Sequence, residues 1–148
     1  MALVSILVVD DDEGHTELVR RNLQRSGISN PIVALTSGSQ ALDYIFSRGP
    51  YADRIDNGEM LVLLDINMPG IDGIEVLRQI KSDANAKRIP VLMLTTTDDP
   101  REINRCYELG CNVYIIKPVD PSAFIEAIRR LGLFLAVVRT PTDATRQP

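Results

Sequence analysis

The chain has 148 residues, of which 45% are hydrophobic and 24% charged, and a formal net charge of −4. These values fit one globular domain with enough apolar residues for a core, and they exclude a wholly disordered chain. The acidic balance disfavours a nucleic-acid partner, which wants a basic patch, and no apolar run approaches the roughly 20 residues of a membrane-spanning helix.

The start Met1-Ala2-Leu3-Val4-Ser5 lacks the basic region of a secretory signal, so the expected location is the cytoplasm. Cys106 and Cys111 have no CxxC spacing and no neighbouring histidine, which makes them small buried hydrophobes in expectation. Ile6-Leu7-Val8-Val9 reads as a short buried strand that ends on Asp10-Asp11-Asp12-Glu13. A helix follows with Leu18, Val19, Asn22 and Leu23 on one face, stopping at Ser26-Gly27. Asp12 is expected to cap that helix, and His15, the only histidine, to be a solvated helix residue. Pro31 to Leu35 is the next strand, and Ser37-Gly38-Ser39-Gln40 is a capping box for a helix carrying Ala41, Leu42, Ile45 and Phe46. Tyr51 to Glu59 is polar and without period, a surface loop.

Met60-Leu61-Val62-Leu63-Leu64 is a run too short for a helix and reads as a strand buried on both faces. It stops on Asp65, followed by turn residues up to Asp72-Gly73. By itself Asp65 can open a turn or serve as a ligand at a strand end, and this stretch alone leaves both open. Asp72 is expected to cap the helix that carries Val76, Leu77 and Ile80. Ser82 to Ile89 is a polar connector, and Pro90-Val91-Leu92-Met93-Leu94 is a strand that ends on Thr95-Thr96-Thr97. Asp99-Pro100-Arg101-Glu102 opens a helix that closes at Gly110, and Val113 to Ile116 is a strand ending on Lys117-Pro118. Asp120-Pro121 opens the last helix. The domain is expected over 1–140, with 141–148 a polar, frayed tail.

Five βα units with short links require right-handed crossovers and a parallel sheet covered on both faces, an α/β doubly wound fold. In such a sheet the ends of strands one, three, four and five share one edge, which brings Asp10, Asp11, Asp65, Thr95 and Lys117 together. Packed carboxylates repel unless a cation is present. An oxygen-only set of this kind suits Mg2+, while a hydroxyl and an ammonium suit phosphoryl oxygens. A carboxylate held beside that ion can itself take a phosphoryl group.

Ile6-Leu7-Val8-Val9-Asp10-Asp11, Leu64-Asp65-Ile66-Asn67-Met68-Pro69-Gly70-Ile71-Asp72-Gly73, Leu94-Thr95 and Tyr114-Ile115-Ile116-Lys117-Pro118 resemble the signature set of two-component response-regulator receiver domains, over about residues 3 to 138. The resemblance implies a flavodoxin-like sheet of order 2-1-3-4-5 and a phospho-acceptor at Asp65, supplied by the phosphohistidine of a sensor histidine kinase. It implies Mg2+ on Asp11, Asp65 and the backbone oxygen of Asn67, with Asp10 acting through water. Lys117 and Thr95 would bind the phosphoryl group, Thr95 and Tyr114 would form a switch pair, and Lys117-Pro118 would be cis. Thr96 is small enough to leave the phosphoryl group access. The loop near Arg48-Gly49-Pro50-Tyr51-Ala52, Thr95-Thr96-Thr97, Lys117-Pro118-Val119-Asp120 and Leu135-Ala136-Val137-Val138 are similar to phytochrome-associated single-domain regulators, so a bacteriophytochrome is the expected kinase.

No output domain is expected after the last helix, and DNA binding is not expected. In that helix Phe124, Ile128, Leu131, Leu135 and Val138 form a core stripe, while Ile125, Leu133, Phe134 and Val137 extend the apolar surface. A homodimer through Phe134, Val137 and Val138 would cover it; a fold-back of the tail is the alternative. The expectation is a signalling switch, not an enzyme beyond the turnover of its own Asp65 phosphate. An Mg2+-dependent phosphohydrolase would want a second acid where Asn67 stands. A flavin module would want a phosphate loop where Asp10-Asp11-Asp12 stand. A phosphate-independent module would not need the full set of site residues.

Overall fold

In the computed structural model, which describes residues 4–54, 59–118, 120, 122–123 and 126–127, the elements follow one another as β1 (Ser5–Val9), α1 (Glu13–Arg25), β2 (Ile32–Leu35), α2 (Gly38–Ile45), β3 (Met60–Leu64), α3 (Gly73–Ser82), β4 (Val91–Thr95), α4 (Pro100–Leu109) and β5 (Val113–Ile116). Every residue of β1, β3 and β4 is buried, because these strands have neighbours on both sides and helices on both faces. The five strands form one parallel sheet of order β2-β1-β3-β4-β5, the expected doubly wound, flavodoxin-like arrangement. β2 and β5 are its edges and are correspondingly less buried.

Alternation along the strands divides the core into two layers. Leu7, Val9, Val62, Leu64, Val91 and Met93 face one side, where they meet Ala41 and Leu42 of α2, Val76, Leu77 and Ile80 of α3, and Cys106 of α4. Ile6, Val8, Leu61, Leu63 and Leu92 face the other, against Leu23 of α1 and Ala127. Burying a side chain of this size stabilises by about 1.5–3 kcal/mol, so a slip of one residue in any central strand would reverse a whole column and is strongly opposed. Cys106 and Cys111 are buried free thiols, as expected.

Helix starts follow the sequence closely. Asp12, Ser37, Asp72 and Asp99 each accept backbone N–H groups at the start of α1, α2, α3 and α4. Gly110 ends α4 in the left-handed conformation, which glycine tolerates. Asp120 accepts from the Ala123 N–H at 3.2 Å, the expected cap of the last helix. The expected apolar stripe of that helix, the dimer residues Phe134, Val137 and Val138, and the tail lie outside the described residues.

One local expectation is corrected and two gain detail. Leu18 does not join the core of α1 but is 54% exposed, and the core position of this helix is taken by Leu23. The segment from Tyr51 is not featureless up to Arg54. A 3-10 turn spans Gly49–Tyr51, and the Arg54 guanidinium lies 4.7 Å over the Tyr44 ring while bonding the Tyr44 and Ile45 carbonyls. The connector after α3 also holds a 3-10 turn, Ala86–Arg88, with Asp83 accepting from the Asn85 and Ala86 N–H groups. In both places a charged side chain closes backbone groups at a helix end, a tertiary arrangement that periodicity does not reveal.

Candidate functional site

The carboxyl edge of the sheet is built by extending its ladders one residue past the apolar runs. The Asp65 N–H donates to the Val9 carbonyl at 3.0 Å, and the Lys117 N–H donates to the Thr95 carbonyl at 2.8 Å. Each charged side chain therefore leaves from backbone as fixed as the core strands. Behind Asp65, Ile66 and Met68 are buried in the core and anchor the loop. Gly73 passes so close to the Asp65 carbonyl that a Cβ there would overlap it, which explains glycine at the start of α3.

Asp10, Asp11 and Asp65 converge, each offering a carboxylate oxygen within 4.8 Å of the others. Asp10 and Asp65 are buried and Asp11 is exposed at the mouth. Lys117 stands among them, its Nζ 2.6 Å from Asp10 Oδ2 and 3.9 Å from Asp65 Oδ2. The other Asp10 oxygen accepts the Asp12 N–H at 2.9 Å. One lysine cannot balance three neighbouring carboxylates, so the group retains an excess of negative charge in an open cleft that Asn67 and Thr96 also line. Such an oxygen-only set suits a hard divalent cation. The Asp12 carboxyl lies outside this group as a helix cap, and its pKa is lowered chiefly by the His15 backbone N–H it accepts.

Thr95 and Tyr114 are joined through a residue that sequence reasoning did not single out. Thr95 is fully buried, and its hydroxyl accepts the Thr97 N–H at 3.4 Å. Thr97 Oγ1 accepts from Asn67 Nδ2 at 3.0 Å, and the Thr97 carbonyl accepts from the Tyr114 hydroxyl at 2.6 Å. The Tyr114 ring packs against the core, and burial pushes its phenol up to about 12. Thr97 therefore links the loop after β3 to β5. A three-threonine run gave no reason to prefer the third over the second.

His15 is a further correction. It is not simply solvated: its Nδ1 lies 3.1 Å from Lys117 Nζ and 3.6 Å from Asp10 Oδ2. The available signal was its place one turn beyond Asp10 and Asp11, which aims a long side chain back over the strand end. Lys117-Pro118 is cis, as expected. No helix of the described residues is long and apolar enough to cross a membrane.

The family model for the response regulator receiver domain matches residues 6–129 of this chain. Response regulator Rcp1 of Synechocystis sp. is 37% identical over 129 residues, covering 87% of this chain and 86% of that protein. The Mn2+-bound form of Rcp1 superposes with a TM-score of 0.73 at 32% identity, over 93% of this chain and 97% of that one. Bacteriophytochrome response regulator RtBRR gives a TM-score of 0.83 at 39% identity, over 95% of this chain and 84% of that one. The phosphorylated cyanobacterial phytochrome response regulator RcpA gives 0.76 at 33% identity, over 94% and 98%.

Proposed function

The chain belongs to the response regulator receiver domain family, and from that premise we propose that it is a signalling switch whose state is a phosphoryl group on Asp65. The observation that carries the reading is the meeting of Asp65 with Asp10, Asp11 and Lys117 at one rigid strand edge. An Asp65 carboxylate oxygen attacks the phosphorus of a sensor kinase's phosphohistidine. The P–N bond breaks, its electrons return to the imidazole, and the Asp65 carboxyl becomes a mixed anhydride. The geometry supplies positioning, and Lys117 together with a bound cation would supply the charge balance that phosphoryl transfer also needs.

Asp11, Asp65 and the Asn67 carbonyl would hold Mg2+, with Asp10 acting through water; the Mn2+-bound form of Rcp1 supports a divalent ion here. When bound, the ion offsets the charge of acceptor and phosphoryl oxygens together. Lys117 and Thr95 receive the phosphoryl oxygens. As the Thr95 hydroxyl turns toward them it leaves the Thr97 N–H, which alters the loop that Tyr114 holds. The chain turns over its own acyl phosphate and no external substrate; Asn67 gives no second acid for a phosphohydrolase and instead bonds Thr97.

The kinase is a bacteriophytochrome, a reading supported by the likeness to RtBRR and RcpA. The homodimer through Phe134, Val137 and Val138 stays part of this proposal, to be tested by light scattering at tens of micromolar. The test of the central reading is acetyl phosphate with Mg2+ followed by intact mass. One added phosphoryl group is expected on the native chain and none on Asp65→Asn. An adduct that survives Asp65→Asn overturns the assignment.

A further inference from the structure

We infer that His15 is a positioning residue for Lys117, holding the ammonium so that one of its N–H groups is presented to the acceptor side of the cleft. The inference rests on the phosphoryl-acceptor reading of Asp65 and deepens it. His15 lies in the first turn of α1, where its backbone N–H is fixed by the Asp12 carboxylate at 3.2 Å. Its side chain is 43% exposed, yet its ring reaches the 10% exposed Lys117.

The chemistry of the contact leaves one arrangement. An ammonium carries three donors and no acceptor, so a nitrogen 3.1 Å from Lys117 Nζ must accept from it. In this bond His15 Nδ1 is the acceptor, which leaves Nε2 as the ring's donor. That nitrogen faces Asp12 Oδ2 at 3.7 Å, which favours a proton there. Asp10 at 2.6 Å takes the second direction of the ammonium. Tetrahedral geometry turns the third away from both, while Asp65 Oδ2 stands 3.9 Å off, too far to be bonded directly. A lysine on a flexible four-carbon stem can still turn about a single contact, so the Asp10 bond alone fixes one direction and His15 fixes a second. An imidazole acceptor adds that direction without adding a further negative charge.

The test compares phosphorylation rates with acetyl phosphate and Mg2+ for the native chain, His15→Ala and His15→Asn, with the donor concentration varied. His15→Ala is expected to lower the maximal rate about tenfold, the loss of one oriented hydrogen bond to a charged group, with little change in half-saturating donor. His15→Asn, whose side-chain oxygen is an acceptor near the Nδ1 position, is expected to recover most of the rate. In a Lys117→Ala background His15→Ala should have no further effect, a result that a merely structural role would not give. Nitrogen NMR of the native imidazole should find the proton on Nε2. A native rate in His15→Ala, additive losses with Lys117→Ala, or a proton on Nδ1 overturns the inference while leaving Asp65 as acceptor. A native chain that takes no phosphoryl group overturns the acceptor reading, and this inference with it.

Discussion

Two lysines at opposite edges of the sheet show how the same residue serves two ends. Lys81, near the amino ends of β4 and β5, gives its Nζ to the Lys87 and Ile89 carbonyls and to Asn112 Oδ1, at 3.1, 2.6 and 3.3 Å. All three partners are neutral, and burial lowers the Lys81 pKa. Lys117, at the carboxyl edge, meets carboxylates and an imidazole instead. Lys81 is saturated by groups that connect α3, the following turn and the approach to β5, so its work is done within the fold. Lys117 is held beside an acceptor that it does not bond, which leaves it able to respond to an incoming anion. The parallel sheet makes this division: loops at its amino edge only join elements, while those at its carboxyl edge gather side chains from several strands.

Exchanging the two lysines for an apolar residue separates these roles and carries the largest expected effects. Lys117→Met should slow phosphorylation of Asp65 by about 100-fold, in line with removal of one charge-stabilising group. Lys81→Met should leave that rate unchanged and lower unfolding free energy by about 1–3 kcal/mol, since the carbonyls it served lose their donor. Phosphorylation kinetics and urea titration of both variants decide the matter. Equal kinetic losses would mean that the edges are not distinct.

A second experiment tests whether the carboxyl edge is held under charge repulsion. Asp11→Asn should abolish Mg2+ binding measured by calorimetry. Without metal it should also raise unfolding free energy by about 1 kcal/mol, because one of three neighbouring carboxylates becomes neutral. A destabilised metal-free variant would mean that the lysine and backbone groups already balance the cluster.

The buried groups beneath the edges set an alkaline limit. Burial pushes the Cys106 thiol up to about 11, the Cys111 thiol to about 12 and the Tyr114 phenol to about 12. Each group keeps its proton longer in the folded chain than in the unfolded one. Their contribution is therefore fully present below the unfolded values near 9 and 10, and is lost as pH rises toward 11–12. Urea midpoints should fall steadily from pH 9 upward, and both thiols should resist alkylation at pH 8 until the chain unfolds.

The smallest effect should come from the link through Thr97. Thr97→Val removes the acceptor for Asn67 while keeping the side-chain shape. It should cost about 1 kcal/mol or less at so exposed a site and shift the amide resonances of Thr95 to Asp98. Silence in those resonances would remove Thr97 from the path between the acceptor loop and Tyr114.

Much of this was legible in the chain itself. Uninterrupted apolar runs such as Leu61 to Leu64 define central strands because only burial on both faces tolerates them. Asp12, Asp72 and Asp99 announce helix starts because a side-chain oxygen satisfies amides a few residues away. Once the parallel order is known, Asp10, Asp65, Thr95 and Lys117 must share an edge. These are local or periodic signals, and they need no knowledge of distant partners.

What the tertiary structure alone decided are contacts between elements far apart in the chain. The third threonine rather than the second joins Asn67 to Tyr114; Lys81 clasps the approach to β5; Arg54 closes the end of α2; His15 reaches Lys117 across 102 residues of sequence. Side-chain direction at a helix end or in a loop depends on what packs against it. Periodicity fixes which face a residue occupies, but not which atom stands across from it.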